Sequence, residues 1–520
     1  MSTYKRNFGI IFLFLLAGSC AFILMWWTTE HGPGVSPDST VYIEAAQTLL
    51  SGKGFLMYGK PMTHYPPGYP FLIAVADLLY PGDVLQAARF LAALFYCINL
   101  ILLGLMVYIS TKRSLVATSC AMLLFLFSAP TISVHSMAWS EAPFIMFSTA
   151  SFILFSYHIA RPRTYVLVLA SFMAAFAATT RYVGVVLFPT IALALFLLEK
   201  RDIKLKIRDI IIFTIVASIP LALWLIRNIL IAQTATNREF SIHLVGFGHV
   251  KSFLYTMYNS FIPISILPKI KMVRIASAVV FFALATVFFL GGGSIIYRKA
   301  DRKQNPTSMA MVLPLLCAIY YVIYVVFLFI HISLLDANTP LNNRILLPAI
   351  LALIPVSVAL AWSLSEKLGR RWIRYGFILL VLFSVSVNAN PAIKTAMDIH
   401  NNGRGYTSRY WNNSEIIAYL SISHEARTIY SNGTDAIRFL TKKEAVWIPP
   451  KVFPNTLRAN QDYEKELNQM IHKCIEGKAL IVYFNSITWR WYLPTTQEIE
   501  SSGNLPVIIK TQEGVIYGKR

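Results

Sequence analysis

The sequence predicts a polytopic α-helical membrane protein that ends in a small α/β domain. Hydrophobic residues make up 56% of the 520 positions and charged residues only 14%, so the apolar surface exceeds what one soluble core can bury. The mean hydropathy of +0.57 agrees with this. The apolar residues are gathered into long runs, and these runs stop near residue 393.

The apolar runs are long enough to cross a bilayer, which takes roughly 17 to 25 residues, and about eleven of them can be placed. Loop lengths between them are short except in two places. We expect spans near residues 8–28, 85–110, 115–134, 141–160, 164–180, 182–198, 210–230, 273–296, 309–331, 345–363 and 375–392.

Clusters of basic residues fix the expected orientation. They fall in alternate loops, which the positive-inside rule assigns to the cytoplasm. The N-terminus is therefore expected inside and, with an odd number of spans, the C-terminus outside a cytoplasmic (inner) membrane. Of the formal charge of +21, a surplus of 17 (30 Lys/Arg against 13 Asp/Glu) belongs to residues 1–392 and is concentrated in these inner loops, so we expect a lipid bilayer and no nucleic acid as a partner. The clusters are Lys5/Arg6, Lys112/Arg113, Arg161/Arg163, Lys200 to Arg208, Arg298 to Lys303 and Lys367 to Arg374.

The chain divides into a transmembrane part, residues 1–392, and an extracytoplasmic α/β domain, residues 393–520. Two outer loops of the first part are long, 29–84 and 231–272. The apolar stretch Pro70 to Tyr80 in the first is too short to span and predicts a re-entrant or interfacial helix. In the C-terminal domain we expect strands at 428–430, 445–448, 479–484 and 506–509 and helices at 412–424 and 461–475.

The first outer loop carries the first candidate for chemistry. Asp38 follows Pro37 and precedes a helical pattern, Val41 to Leu50. Its carboxylate suits a helix N-cap. It equally suits a general base that takes a proton from an acceptor hydroxyl. The two roles are compatible.

Glu141 is the second acidic candidate, at the outer end of the fourth span. An ionisable group at membrane depth is costly and indicates function. The alternative is a glutamate that the dipole of a helix N-terminus stabilises.

Three arginines stand at outer ends of spans, where the positive-inside rule disfavours them: Arg181, Arg227 and Arg344. A planar guanidinium at this level can grip a lipid phosphate through two hydrogen bonds. Snorkelling to headgroups is the alternative. His64 and Tyr65 precede Pro66-Pro67, so they either bind a phosphate oxygen or belong to a plain turn.

The order of these features resembles a known family. Similar motifs occur in the GT-C glycosyltransferases, above all in the bacterial Rgt-like and protein-mannosyltransferase-like branch that includes aminoarabinose transferases. The resemblance covers the whole membrane part. It rests on Asp38 with Tyr42, Leu49 to Phe55, Tyr65 to Pro70, Ser140-Glu141, Thr180-Arg181-Tyr182, Arg227-Asn228 and Asn343 to Pro348.

The resemblance implies a GT-C fold and an inverting transferase. Such an enzyme takes a sugar from a polyprenyl-phosphate carrier and places it on a glycan, lipid or protein acceptor outside the cytoplasmic membrane. Asp38 and Glu141 match the family's acidic positions. The resemblance further implies that Arg181, Arg227 and Arg344 bind the donor phosphate and that Tyr42, Tyr182, Asn228 and Asn343 line the substrate pocket. We expect His64 and Tyr65 beside the same phosphate because either side chain can hydrogen-bond one of its oxygens.

One position departs from the family. Aminoarabinose transferases carry a lysine immediately before the Pro-Pro turn, where this chain has Tyr65, which puts aminoarabinose in doubt as the sugar. No paired histidine spacing indicates a metal, and no cofactor is firmly implied. A lipid-linked glycan ligase or polymerase, and a transporter or flippase, stay open as alternative functions.

Overall fold

The computed structural model describes residues 3–80, 82–298, 308–423 and 427–519. Within these ranges, long helices come first and a smaller mixed region follows. The helices up to residue 402 are α1 (Thr3–Thr28), α2 (Pro37–Leu50), α3 (Gly68–Leu79), α4 (Val84–Ser110), α5 (Leu115–Leu126), α6 (Ala129–His135), α7 (Glu141–Ala160), α8 (Thr164–Thr180), α9 (Leu187–Leu198), α10 (Ile203–Ala232), α11 (Phe247–Phe261), α12 (Lys271–Thr286), α13 (Gly292–Arg298), α14 (Met309–Leu334), α15 (Asn343–Leu368) and α16 (Trp372–Asn402).

Two strands, β1 (Leu56–Met57) and β2 (Lys60–Pro61), form an antiparallel hairpin in the first long loop. The C-terminal region contains a five-stranded sheet of order β4-β3-β7-β9-β8. Its elements are α17 (Arg409–Asn412), α18 (Glu415–Ile422), β3 (Thr428–Ser431), α19 (Thr434–Thr441), β4 (Val446–Trp447), β5 (Val452–Phe453), β6 (Arg458–Ala459), α20 (Tyr463–Ile475), β7 (Ala479–Phe484), α21 (Thr496–Ser501), β8 (Val507–Lys510) and β9 (Gly514–Tyr517).

The predicted α/β character of the C-terminal region is confirmed. β4, β3 and β7 run parallel and β9 is antiparallel to β7, with the buried strand β7 at the centre. All four predicted strands are present, but β9 was not predicted. The predicted helix 412–424 is interrupted, because Ser414 caps α18 separately, and its residue 424 lies outside the described residues.

Eight helices among the described residues are long and apolar enough to cross a membrane, or nine if α5 and α6, bent by 64°, form one span. Helices occupy all eleven predicted positions. The predicted spans 164–180 and 182–198 are shorter, because Arg181 is extended (φ −147°, ψ 132°) and a 3-10 turn, Tyr182–Val186, follows it. The count of eleven therefore stays a prediction.

Both segments predicted as long outer loops contain helices. The apolar stretch in 29–84 is the helix α3, and the loop 231–272 contains α11. How these lie against a membrane stays a prediction, as does the domain boundary at 392, since α16 continues to Asn402. Of the basic clusters, residues 299–303 lie outside the described residues.

A short strap, residues 33–36, joins the membrane part to the C-terminal region and places α2. Gly34 bridges to Met137 and Val35 to Gly405, and the Tyr406 backbone N–H donates to the Val35 carbonyl over 2.8 Å. Gly405 has φ +59°, and a Cβ there would collide with that carbonyl. Only glycine therefore fits, and the strap fixes where α2 begins.

Candidate active site

Asp38 lies in the first turn of α2. Ser36 is the N-cap residue and Pro37 occupies the first turn, so the hypothesis that Asp38 itself caps the helix is wrong. Its Oδ2 accepts from Arg344 Nη2 at 2.6 Å, and its Oδ1 accepts from the Tyr65 hydroxyl at 2.8 Å. The side chain keeps 27% of its surface exposed. The two hydrogen bonds therefore hold the Asp38 carboxylate in one orientation, and part of it remains accessible to solvent.

Glu141 is the first residue of α7 and is almost completely buried, with 1% of its side chain exposed. Its Oε1 accepts from Arg344 Nε at 2.5 Å and from Arg181 Nη1, while its Oε2 has no hydrogen-bond partner within the described part of the chain. The helix-terminus position that the sequence suggested as an alternative is thus correct, and it coexists with a double ion pair.

Arg344 joins the two carboxylates. It is the second residue of α15, where the Asn342 side chain caps the helix by accepting from the Arg344 N–H at 3.1 Å. Its guanidinium stacks over the Trp139 ring, 4.1 Å from the centroid. Trp139 in turn donates from Nε1 to Ser36 Oγ at 2.7 Å. The strap, α7 and α15 therefore meet at this one guanidinium.

Arg181 approaches from the break after α8. Besides Glu141 it donates to Ser140 Oγ at 3.3 Å, and its neighbour Gly184 packs so close to α8 that a Cβ would lie 2.5 Å from Ala178 Cα. The side chain is 17% exposed. A guanidinium offers five N–H donors, so both arginines keep donors for a further anion.

The charges of this cluster balance, with two carboxylates against two guanidiniums. Burial raises the pKa of Asp38, but Arg344 and the Tyr65 hydroxyl more than offset this, and the pKa lies below its ordinary value. Burial and the Asp38 charge raise the pKa of Tyr65. Asp38 is therefore ionised near neutral pH and Tyr65 stays a hydrogen-bond donor.

Tyr42 is the remaining predicted residue that the fold brings to this cluster. Its hydroxyl lies 3.2 Å from Ser140 Oγ, and its ring contacts those of Tyr65 and Tyr69 edge-on. Ser140, Trp139 and Tyr69 were not assigned as site residues. Trp139 and Ser140 could have been found from the sequence, because they directly precede Glu141.

Arg227 lies in a second group that holds the first outer loop. It donates to the carbonyls of Met62 at 2.8 Å and Phe55 at 3.4 Å. It also donates to Asn228 Oδ1 at 2.9 Å, and it stacks on Trp224, 4.5 Å from the centroid. These contacts go to the loop and not to either carboxylate.

Tyr182 and Asn228 belong to the same second group. The Tyr182 hydroxyl donates to the Thr63 carbonyl at 3.0 Å and accepts from Trp224 Nε1 at 3.1 Å. Asn228 Nδ2 donates to the Ala235 carbonyl at 2.8 Å. Together with Arg227 they fasten the chain between the β1–β2 hairpin and His64.

His64 and Asn343 flank the cluster. The His64 ring packs edge-on against Tyr65 at 4.8 Å, and burial and the charge of Arg238 lower its pKa. The lowered pKa favours the neutral imidazole, and contact of His64 with a phosphate stays a prediction. Asn343 is half-buried at the start of α15 next to Arg344; the capping role belongs to its neighbour Asn342.

Within the described ranges, three side chains that could bind a metal ion lie close together, at the end of the helices opposite to Asp38 and Glu141. His158, Glu199 and Asp209 place ligand atoms within 4.8 Å of one another. Arg201 pairs with both carboxylates there, so a guanidinium already supplies the positive charge. At Asp38 and Glu141, Arg181 and Arg344 likewise supply the positive charge.

Comparison with known proteins identifies the fold. Residues 64–227 match the family model described as dolichyl-phosphate-mannose-protein mannosyltransferase. Over 98% of both chains, the structure superposes on apo ArnT from Cupriavidus metallidurans with a TM-score of 0.59 at 13% identity. The chain has the GT-C fold. The resemblance that the sequence motifs indicated is thus confirmed.

Two further structures share the GT-C fold. ArnT from Cupriavidus metallidurans bound to undecaprenyl phosphate gives a TM-score of 0.56 at 14% identity over 98% of both chains. The Archaeoglobus fulgidus oligosaccharyltransferase, in complex with Zn and sulfate, gives 0.54 at 10% identity over 96% of this chain and 73% of that one. No curated protein sequence matches the chain significantly.

Proposed function

We propose that this GT-C protein is an inverting glycosyltransferase. It moves a sugar from a polyprenyl-phosphate carrier to a glycan, lipid or protein acceptor on the outer face of the cytoplasmic membrane. The family model and the fold support glycosyltransferase activity. The ArnT structure contains undecaprenyl phosphate and an archaeal oligosaccharyltransferase structure contains dolichol phosphate, which supports a polyprenyl-phosphate donor here.

The observation that carries the proposal is the cluster of Asp38, Glu141, Arg181 and Arg344. Four elements distant in sequence bring it together. Two guanidiniums with unused donors form an anion site for the phosphate, and an ionised, partly exposed carboxylate lies beside them.

The reaction needs little more than these groups. The acceptor hydroxyl attacks the anomeric carbon, Asp38 takes the hydroxyl proton, and the bond from that carbon to the phosphate oxygen breaks. The departing polyprenyl phosphate carries the bonding electrons, and Arg181 and Arg344 stabilise its charge. Attack opposite the phosphate inverts the anomeric centre.

Glu141 holds the two arginines in place in this scheme. Its buried Oε1 accepts from both, so it sets the distance between them. Its Oε2 is buried and lacks a partner among the described residues, so we assign Glu141 to positioning the arginines and not to contacting the substrate. We place Arg227, Tyr182 and Asn228 around the donor through the loop they fasten.

Donor binding tests the phosphate site directly. Arg181→Ala and Arg344→Ala should each weaken undecaprenyl-phosphate binding by about 1.5 to 3 kcal/mol, the scale of a charge-assisted hydrogen bond. Lys should rescue only in part because it lacks the planar fork. Asp38→Asn should leave the affinity nearly intact. Titration in nanodiscs measures this, and unchanged affinity in both Ala variants rejects the site.

A further inference from the structure

A cleft of about 270 Å³ lies between the first outer loop and the C-terminal region. Helix α2 forms one wall, α19 and the chain after it form the other, and the tip of the β1–β2 hairpin closes one end. This volume is near the lower limit of ligand pockets, roughly 300 Å³. It suits one sugar ring rather than a long oligosaccharide.

The cleft is separate from the site around Asp38. An α-helix turns about 100° per residue, so Thr40, Ile43 and Gln47 of the cleft lie on the face of α2 that points away from Asp38. Tyr42, which contacts the Asp38 cluster, lies on the other face. One short helix therefore separates two sites on the same side of the protein.

Two side chains of the cleft lining are placed by turns of the backbone. Among the described residues outside glycine, seven have positive φ, and two of them, Tyr58 and Lys442, line this cleft. Tyr58 (φ 54°) and Gly59 (φ 73°) form the two-residue tip of the hairpin, where positive φ at both positions matches the twist of the strands. Lys442 is the left-handed residue that ends α19.

The hairpin turn places the Tyr58 side chain inside the cleft. Its hydroxyl lies 3.4 Å from Thr40 Oγ1, and its ring lies under the Arg438 guanidinium, 4.2 Å away. The Gly59 N–H donates to Glu44 Oε1 at 3.4 Å. The hairpin tip is thus fixed against α2 on one side and α19 on the other.

Two cations remain available in the cleft. Arg438 uses Nη2 to donate to the Ala445 carbonyl at 2.7 Å, but its buried Nε has no hydrogen-bond partner among the residues that the structure describes. Lys442 is exposed, 5.4 Å above the Phe439 ring. By contrast, Lys443 donates to the Leu420 and Ser423 carbonyls.

The combination fits an anionic sugar. Arg438 and Lys442 offer charge-assisted hydrogen bonds to a phosphate or carboxylate, Glu44 and Gln47 offer partners for hydroxyl groups, and the Tyr58 and Phe439 rings offer flat apolar faces. Resting on the proposed transferase function, we propose that this cleft binds an anionic sugar unit of the acceptor. The unit that reacts lies on the other side of α2, so the acceptor extends beyond one sugar.

Direct binding tests this proposal without turnover. The full-length protein in nanodiscs of neutral lipid is titrated with glucose 6-phosphate, glucuronate, glucose and inorganic phosphate. Both anionic sugars should bind more tightly than glucose and than inorganic phosphate. If inorganic phosphate binds as well as the anionic sugars, or if neither anionic sugar binds at millimolar concentration, the proposal is overturned.

Two variants localise the binding. Lys442→Glu should weaken glucose 6-phosphate binding about ten- to hundredfold, as expected for a lost charge-assisted hydrogen bond, and Gln47→Trp should block it by filling the cleft. Lys465→Glu, an equal charge change at an exposed site on α20, should have no effect. Wild-type affinity in both cleft variants contradicts the proposal.

Two further arms separate the alternatives. In nanodiscs with phosphatidylglycerol, affinity for glucose 6-phosphate should be unchanged; competition by the anionic lipid would assign the cleft to a lipid headgroup and overturn the sugar assignment. Asp38→Asn should also leave this binding unchanged. Failure of the transferase proposal would therefore appear as missing turnover, and failure of the cleft proposal as missing cleft-dependent binding.

Discussion

Replacing Arg344 by Gln should move the acid limb of the pH profile of transfer to higher pH. In the folded protein Arg344 Nη2 lies 2.6 Å from Asp38 Oδ2. Burial is the largest influence on the pKa of Asp38 and raises it, and the charge of Arg344 is the second largest and lowers it. A general base acts in its deprotonated form, so activity falls as the pH drops through its pKa. Without Arg344, that fall occurs at a higher pH.

The direction of the shift follows from the geometry. An opposite charge in direct contact lowers the pKa of an aspartate, and the two side chains keep 27% and 20% of their surface exposed, so solvent screens part of this effect. The acid limb of Arg344→Gln should therefore lie measurably above the wild-type position. Arg344→Lys should reverse part of this shift, because a lysine keeps the charge but not the planar fork.

The assay is kcat/KM against pH, which reports the free enzyme. Arg227→Gln is the matched control, since this guanidinium donates to the Met62 and Phe55 carbonyls and its loss should leave the acid limb in place. An acid limb at the wild-type position in Arg344→Gln would refute the idea that Asp38 is the base.

Three further predictions follow from the same geometry. Tyr65→Phe removes the 2.8 Å hydrogen bond to Asp38 and should lower kcat/KM about two- to tenfold, for about 0.5 to 1.5 kcal/mol, without changing the melting temperature; an unchanged kcat/KM contradicts it. Glu141→Gln leaves two guanidiniums without their buried anion. Breaking a buried ion pair costs about 3 to 5 kcal/mol, and the loss of stability should be smaller than this here because both arginines reach solvent. The control Glu415→Gln, at an exposed position, should leave thermal unfolding unchanged. A reporter active only in the cytoplasm should be silent when fused after Arg520 and active at Lys303; activity after Arg520 would mean that the number of spans is even.

The sequence predicted the fold class and part of the cluster because both depend on local patterns. Hydropathy marks long helices wherever they pack, and an acidic or basic residue at the end of a span stands out against apolar neighbours. Asp38, Glu141, Arg181 and Arg344 were found in this way, and the structure brings them together.

Contacts between distant segments could not be predicted in the same way. Arg227, like Arg181, stands at the outer end of a predicted span, but it donates to the loop carbonyls of Phe55 and Met62. The N-cap of α2 is Ser36 rather than Asp38, because the strap sets where the helix begins. The contacts of Tyr58 with Thr40 and Arg438 join residues far apart in sequence and could not be predicted either.

Single-turnover transfer tests the central proposal most directly. Purified protein in nanodiscs is mixed with radiolabelled undecaprenyl-phosphate sugars and a membrane-derived acceptor fraction. Wild type should release undecaprenyl phosphate and label the acceptor with inverted anomeric configuration. Asp38→Asn should bind the donor equally well and turn over about two to four orders of magnitude more slowly, the scale of general-base loss. Turnover near the wild-type rate in Asp38→Asn would contradict the account, as would movement of the intact labelled lipid across the bilayer without cleavage.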